Sequence, residues 1–172
     1  TFLNHSNQPT LSNLTITQNP TTNQNITTTI QYYHQNNISG NITIAYKNNN
    51  VTILTQSATN ISNGQTVTST LTSNNFNKND QIQIQIQAYN REGSSNISIV
   101  QTTIQNTPPE EPILSNPINN EHIIIRAPTL NWTSQPDQDN ELITYTLILD
   151  DNPDFNNPEH TENTTKNSIQ IP

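Results

Sequence analysis

The sequence predicts an all-β chain, two antiparallel β-sandwiches in tandem with the second incomplete. Three observations carry this. Gln81-Ile82-Gln83-Ile84-Gln85-Ile86-Gln87-Ala88-Tyr89 alternates strictly, so its Ile and Gln side chains fall on opposite faces of a strand. Shorter alternating runs recur before and after it, separated by turn residues. A proline-rich break at Asn106 to Pro112 then interrupts them, and the charge changes there.

The first region offers Leu14–Thr17, Asn25–Tyr33, Ile42–Lys47, Val51–Gln56, Thr66–Leu71, Gln81–Tyr89 and Ile97–Ile104 as strands. All are rich in Ile, Val, Thr or Tyr, which suit a pleated surface. Between them lie Asn36-Asn37, Ser39-Gly40, Asn48-Asn49-Asn50, Asn63-Gly64, Asn74-Asn75 and Glu92-Gly93. The 172 residues include only 3 Gly. Asn therefore takes turn positions, because it tolerates a left-handed backbone better than most residues. Seven strands with regular turns make one sandwich of about 100 residues.

Pro108, Pro109 and Pro112 cannot continue a central strand, and the sequence places a domain boundary at residue 109. Up to Thr107, three cations face two carboxylates; from Pro108 on, two cations face eleven. That step from +1 to −9 accounts for the net charge of −8 and marks two domains. The second region offers Ile113-Leu114, His122–Ile125, Thr129–Thr133, Ile143–Leu149 and Ser168–Ile171 as strands, with Trp132 pointing into the core. About 60 residues are too few for a full sandwich.

Composition allows a second class. Hydrophobic residues are 28% and charged residues 10%, against about 45–50% (Gly included) and about 25% in ordinary domains. Asn, Gln and Thr fill the gap. Such a bias fits a disordered tract as well as a folded one, but disorder has no reason to keep a period of two. With 0 Cys, disulfides and thiolate metal sites are excluded. There is no apolar run of membrane-spanning length. No basic cluster recommends nucleic acid as a partner. Beginning at Thr1, the chain reads as a mature or excised piece.

Two sets of motifs suggest a family. One is Pro128-Thr129-Leu130-Asn131-Trp132, then Asp137-Gln138-Asp139, Ile143-Thr144-Tyr145-Thr146-Leu147 and Asp154-Phe155. These resemble fibronectin type III-like modules of archaeal and bacterial surface proteins. The other is Ile44-Ala45-Tyr46-Lys47-Asn48, Phe76-Asn77-Lys78-Asn79-Asp80 and Gln87-Ala88-Tyr89-Asn90-Arg91-Glu92-Gly93, with the exit Asn106-Thr107-Pro108-Pro109. These resemble the immunoglobulin-like modules that precede them. The resemblance implies tandem immunoglobulin-like antiparallel β-sandwiches, residues 1–109 and a partial 110–172, in an extracellular cell-surface protein. It departs from the pattern at Tyr46, where relatives often carry Trp, and at His34-Gln35-Asn36-Asn37, where they carry an acidic turn. The late strands of the second module are missing.

Sequons are the first candidate sites. Asn4, Asn13, Asn25, Asn37, Asn41, Asn50, Asn60, Asn96 and Asn163 each begin Asn-x-Ser/Thr, as does Asn131, the least suitable if its strand is central. Seven have Leu, Ile or Val in the middle, which in a strand puts Asn and Ser/Thr outward and the apolar residue inward. That pattern fits both a glycosylated face and a plain polar one. Asp137, Asp139 and Glu141 form an acidic cluster, with Asp150, Asp151 and Asp154 after the next strand. Hard oxygen ligands suit calcium, although no EF-hand spacing exists and a solvated turn has the same composition. His5, His34, His122 and His160 lie too far apart for a zinc motif. No nucleophile elbow or phosphate loop is present, so no catalytic residues are assigned and no cofactor beyond calcium is implied.

These readings favour a non-enzymatic structural module of a surface layer, stalk or filament. Its expected partners are copies of itself or neighbouring domains, with glycans a further class. Two accounts of the short second module compete: the parent chain continues past Pro172, or a strand such as Thr1–Ser12 of another subunit completes it. An adhesive or sugar-binding module is the alternative and predicts exposed aromatics among Tyr32, Tyr33, Tyr89, Phe76 and Phe155. An accessory domain of a larger secreted enzyme is another.

Overall fold

The computed structural model describes residues 7–171. The chain divides into two compact units between Asn106 and Thr107. All regular elements are strands except one 3-10 turn at Ser73–Asn75.

The first unit contains β1 (Thr10–Ile16), β2 (Ile26–Tyr33), β3 (Gly40–Asn48), β4 (Val51–Ile61), β5 (Thr66–Leu71), β6 (Gln81–Asn90), β7 (Gly93–Ser94) and β8 (Ser98–Thr103). One sheet has the order β1-β2-β5; the other runs β4-β3-β6, with β7 and β8 both on β6. Every named pair is antiparallel. Three strands facing a larger sheet, with the chain crossing between them after β2, β4 and β5, is the immunoglobulin-like β-sandwich. A single parallel bridge, Thr21 to Gln105, ties the segment after β1 to the exit of β8.

The alternation in β6 becomes the core directly. Ile82, Ile84, Ile86 and Ala88 are fully buried, while the intervening glutamines face outward. Ile42, Ile44 and Tyr46 from β3, with Ile26, Ile30 and Tyr32 from β2, complete the same cluster. Each buried Ile contributes about 1.5–3 kcal/mol. Asparagine makes the turns: nine of the ten non-Gly residues at positive φ are Asn. Asn49 (φ 47°) and Asn50 (φ 69°) form the two-residue link between β3 and β4, the backbone twist that tight hairpins need.

The second unit contains β9 (Ile113–Asn116), β10 (Thr129–Thr133), β11 (Tyr145–Leu149), β12 (His160–Thr164) and β13 (Ser168–Gln170). Its sheets are β13-β10-β9 and the hairpin β11-β12. Its core is small: Leu130, Trp132 and Ile169, flanked by Tyr145, Leu147, Leu149 and Ile171. The rings of Trp132 and Tyr145 meet edge to face, centroids 5.3 Å apart.

Two sequence expectations fail here. His122–Ile125 forms no strand, and Ile124 is 88% exposed. The run has strand propensity, but among the described residues nothing lies beside it to bond its backbone. Conversely β12, His-Thr-Glu-Asn-Thr, has no apolar alternation to announce it and forms by pairing with β11.

Candidate functional site

Eight of the nine favoured sequon asparagines lie within the described residues; Asn4 lies outside them. Seven of the eight are exposed, and Asn41 is half-buried. The inward-apolar geometry holds for Ile26, Ile42 and Ile61, all buried beside their asparagines Asn25, Asn41 and Asn60. It does not hold for Val51 (67% exposed) or Ile97 (53%). Four of the asparagines, Asn13, Asn37, Asn50 and Asn60, sit at positive φ instead of in regular strand. They are where turns and bulges push the backbone outward.

The amide ends are anchored mainly through oxygen. Asn25 Oδ1 accepts from Ser73 N (3.0 Å), Asn37 Oδ1 from Asn63 Nδ2 (2.8 Å), Asn41 Oδ1 from Asn60 N (3.0 Å) and Asn163 Oδ1 from Thr146 Oγ1 (2.8 Å). A sugar joined at Nδ2 leaves all four bonds intact. Only Asn13 uses its nitrogen, donating to Gln31 Oε1 at 2.8 Å. Asn131 is half-buried on β10, between β9 and β13.

The acidic residues do two different things. Asp137 is buried at 6% exposure, and its Oδ1 accepts from Asp139 N (2.8 Å) and Glu141 N (3.1 Å). Asp139 Oδ2 accepts from Thr107 N (2.9 Å). These carboxylates shape their own loop, the behaviour of a side chain mimicking a backbone turn. The three carboxylates whose oxygens approach within 4.8 Å are instead Asp150, Asp151 and Glu159. The β11-β12 hairpin brings Glu159 back to the two aspartates, which spacing along the chain does not reveal. Asp151 N donates to Glu159 Oε2 (3.0 Å) and Asn152 N to Asp150 Oδ1 (2.9 Å).

His34 is buried. Its Nδ1 accepts from Asn36 N (3.2 Å), so Nε2 carries the proton, donates to Asn7 O (2.7 Å) and lies 3.4 Å from Glu92. Of the five aromatic candidates for a binding surface, Tyr32 and Phe76 are buried in the core and are unavailable. Tyr33, Tyr89 and Phe155 are exposed. Tyr89 borders a polar depression of about 440 Å³ with Ser39, Asn41, Asn60, Asn90 and Arg91. One buried arrangement has no sequence signal at all: the Tyr46 hydroxyl lies 3.1 Å from Thr28 Oγ1 and 2.8 Å from Ser69 Oγ inside the core.

No helix among the described residues is long and apolar enough to cross a membrane. No family model and no curated protein matches the chain. Among solved structures, the PKD domain of an M14-like peptidase from Thermoplasmatales archaeon SCGC AB-540-F20 is similar at a TM-score of 0.42 and 16% identity, over 57% of this chain and 93% of that one.

Proposed function

We propose that the chain is a non-catalytic structural module of an extracellular surface-layer, stalk or filament protein, decorated with N-linked glycans. The observation that carries the reading is the exposure of seven of the eight described sequon asparagines, four of them with the linkage nitrogen free of the bond that holds the side chain. The outward glutamines of β6 support it, since a face of amides is well hydrated and carries little charge. Sequence resemblance to surface-protein modules points the same way. The cell surface is the expected location. Immunolabelling of intact, unpermeabilised source cells tests this: label at the surface is expected, and label appearing only after lysis would contradict it.

A saccharide-binding role is the second reading. Tyr89 offers a half-exposed ring beside Arg91 and the amides of Asn41, Asn60 and Asn90. Binding to a glycan array that disappears in Tyr89→Ala would support it.

A further inference from the structure

The second unit repeats the first only in part. In the first, β1-β2-β5 form one sheet and β3 is flanked on one side by β4 and on the other by β6. In the second, β9-β10-β13 form the matching sheet and β11-β12 the matching hairpin. The side of β11 that corresponds to β6 has no strand on it among the described residues.

Three independent features mark that position. An apolar cleft of about 160 Å³ opens there, lined by Pro112, Leu114, Trp132, Tyr145 and Leu147. Trp132 Nε1 is buried in the same place with no hydrogen-bond partner, a state that costs about 1–3 kcal/mol. Third, His122–Ile125 lies exposed after β9. The first unit shows what such a segment does: after β1, Pro20 O accepts from Gln105 N (2.8 Å), and Thr21 bridges the chain leaving β8 in parallel.

We infer that the second unit is an acceptor for a two-stranded β-hairpin. Its first strand runs antiparallel along the open edge of β11 and its second returns beside His122–Ile125. The occupant is the polypeptide that follows β13 in the same chain, because the segment that follows β5 takes this place in the first unit. The first strand carries apolar residues at alternate positions, as Ile82, Ile84, Ile86 and Ala88 do in β6, and presents a carbonyl to Trp132 Nε1. This rests on strand topology alone and stands whether or not the module carries glycans.

Hydrogen exchange on two proteins tests it: the 172-residue chain, and the same chain extended by the residues encoded after Pro172. In an antiparallel strand, alternate amides point to each side. In the 172-residue chain the open-edge amides of β11 should exchange at least 100-fold faster than those of β3. In the extended chain they should become protected, with Trp132 emission shifting to the blue. If the extension folds poorly, the same residues supplied as a synthetic hairpin and titrated against Trp132 emission give the same test. Four results would overturn the assignment: no residues encoded after Pro172, β11 already protected in the monomeric 172-residue chain, no protection on extension or titration, or protection that tracks dimerisation of the 172-residue chain and so identifies a second copy as the occupant.

Discussion

Tyr32 lies directly across the α-carbon of Gly40, so closely that a β-carbon there would stand 2.7 Å from the ring's Cζ. The ring is fully buried, and its hydroxyl donates to Ile38 O (2.9 Å) and accepts from Asn90 Nδ2 (3.3 Å). One tyrosine thus pins the β2-β3 connection to the end of β6. Gly40→Ala should destabilise the first unit by roughly 1–3 kcal/mol, the usual range for overpacking. The urea midpoint followed by far-ultraviolet circular dichroism reads this. An unchanged midpoint would show that the ring moves freely.

The hydroxyl cluster in the core makes a second prediction. Tyr46→Phe removes the group that joins Thr28 and Ser69 and should cost about 1–3 kcal/mol, because buried hydroxyls lose a partner. Adding Thr28→Val and Ser69→Ala should recover part of the loss. A triple variant less stable than the single one would argue against the cluster as the cause.

The two faces of β6 should respond differently. Ile84→Ala leaves a cavity in the core and should cost about 2–5 kcal/mol. Gln83→Ala, one residue away on the outward face, should stay within about 0.5 kcal/mol. Equal effects from the two would contradict the register.

Asp137 organises its loop through two backbone N–H groups. Asp137→Ala should destabilise the second unit by about 2–3 kcal/mol, since hydrogen bonds to a charged group are worth more than neutral ones. Asp137→Asn, which keeps an acceptor oxygen, should lose less. Trp132 is the only tryptophan, so its fluorescence reports this unit. Comparable losses from the two variants would contradict a hydrogen-bonding role.

Legibility in the sequence followed physical cause. The core of the first unit could be read because a period of two maps directly onto buried and exposed faces, most clearly at Ile82, Ile84 and Ile86. The turns could be read because few residues other than Asn tolerate positive φ where Gly is scarce. β12 could not, because its formation depends on β11 and not on its own side chains. His122–Ile125 misled because β propensity does not provide a neighbouring strand. The carboxylate cluster lay partly outside local reach, since Glu159 meets Asp150 and Asp151 only through the hairpin. The sequons could be found by motif, but their turn geometry at Asn13, Asn37, Asn50 and Asn60 could not.

The proposed role depends most on the asparagines of the polar faces. Intact-mass measurement of the protein purified from its source cells tests it most directly. The account predicts a ladder of masses above that of the bare polypeptide, collapsing towards it when N-linked sugars are removed and losing one glycan with Asn50→Gln or Asn60→Gln. A single mass equal to the bare 19.3 kDa chain would contradict it.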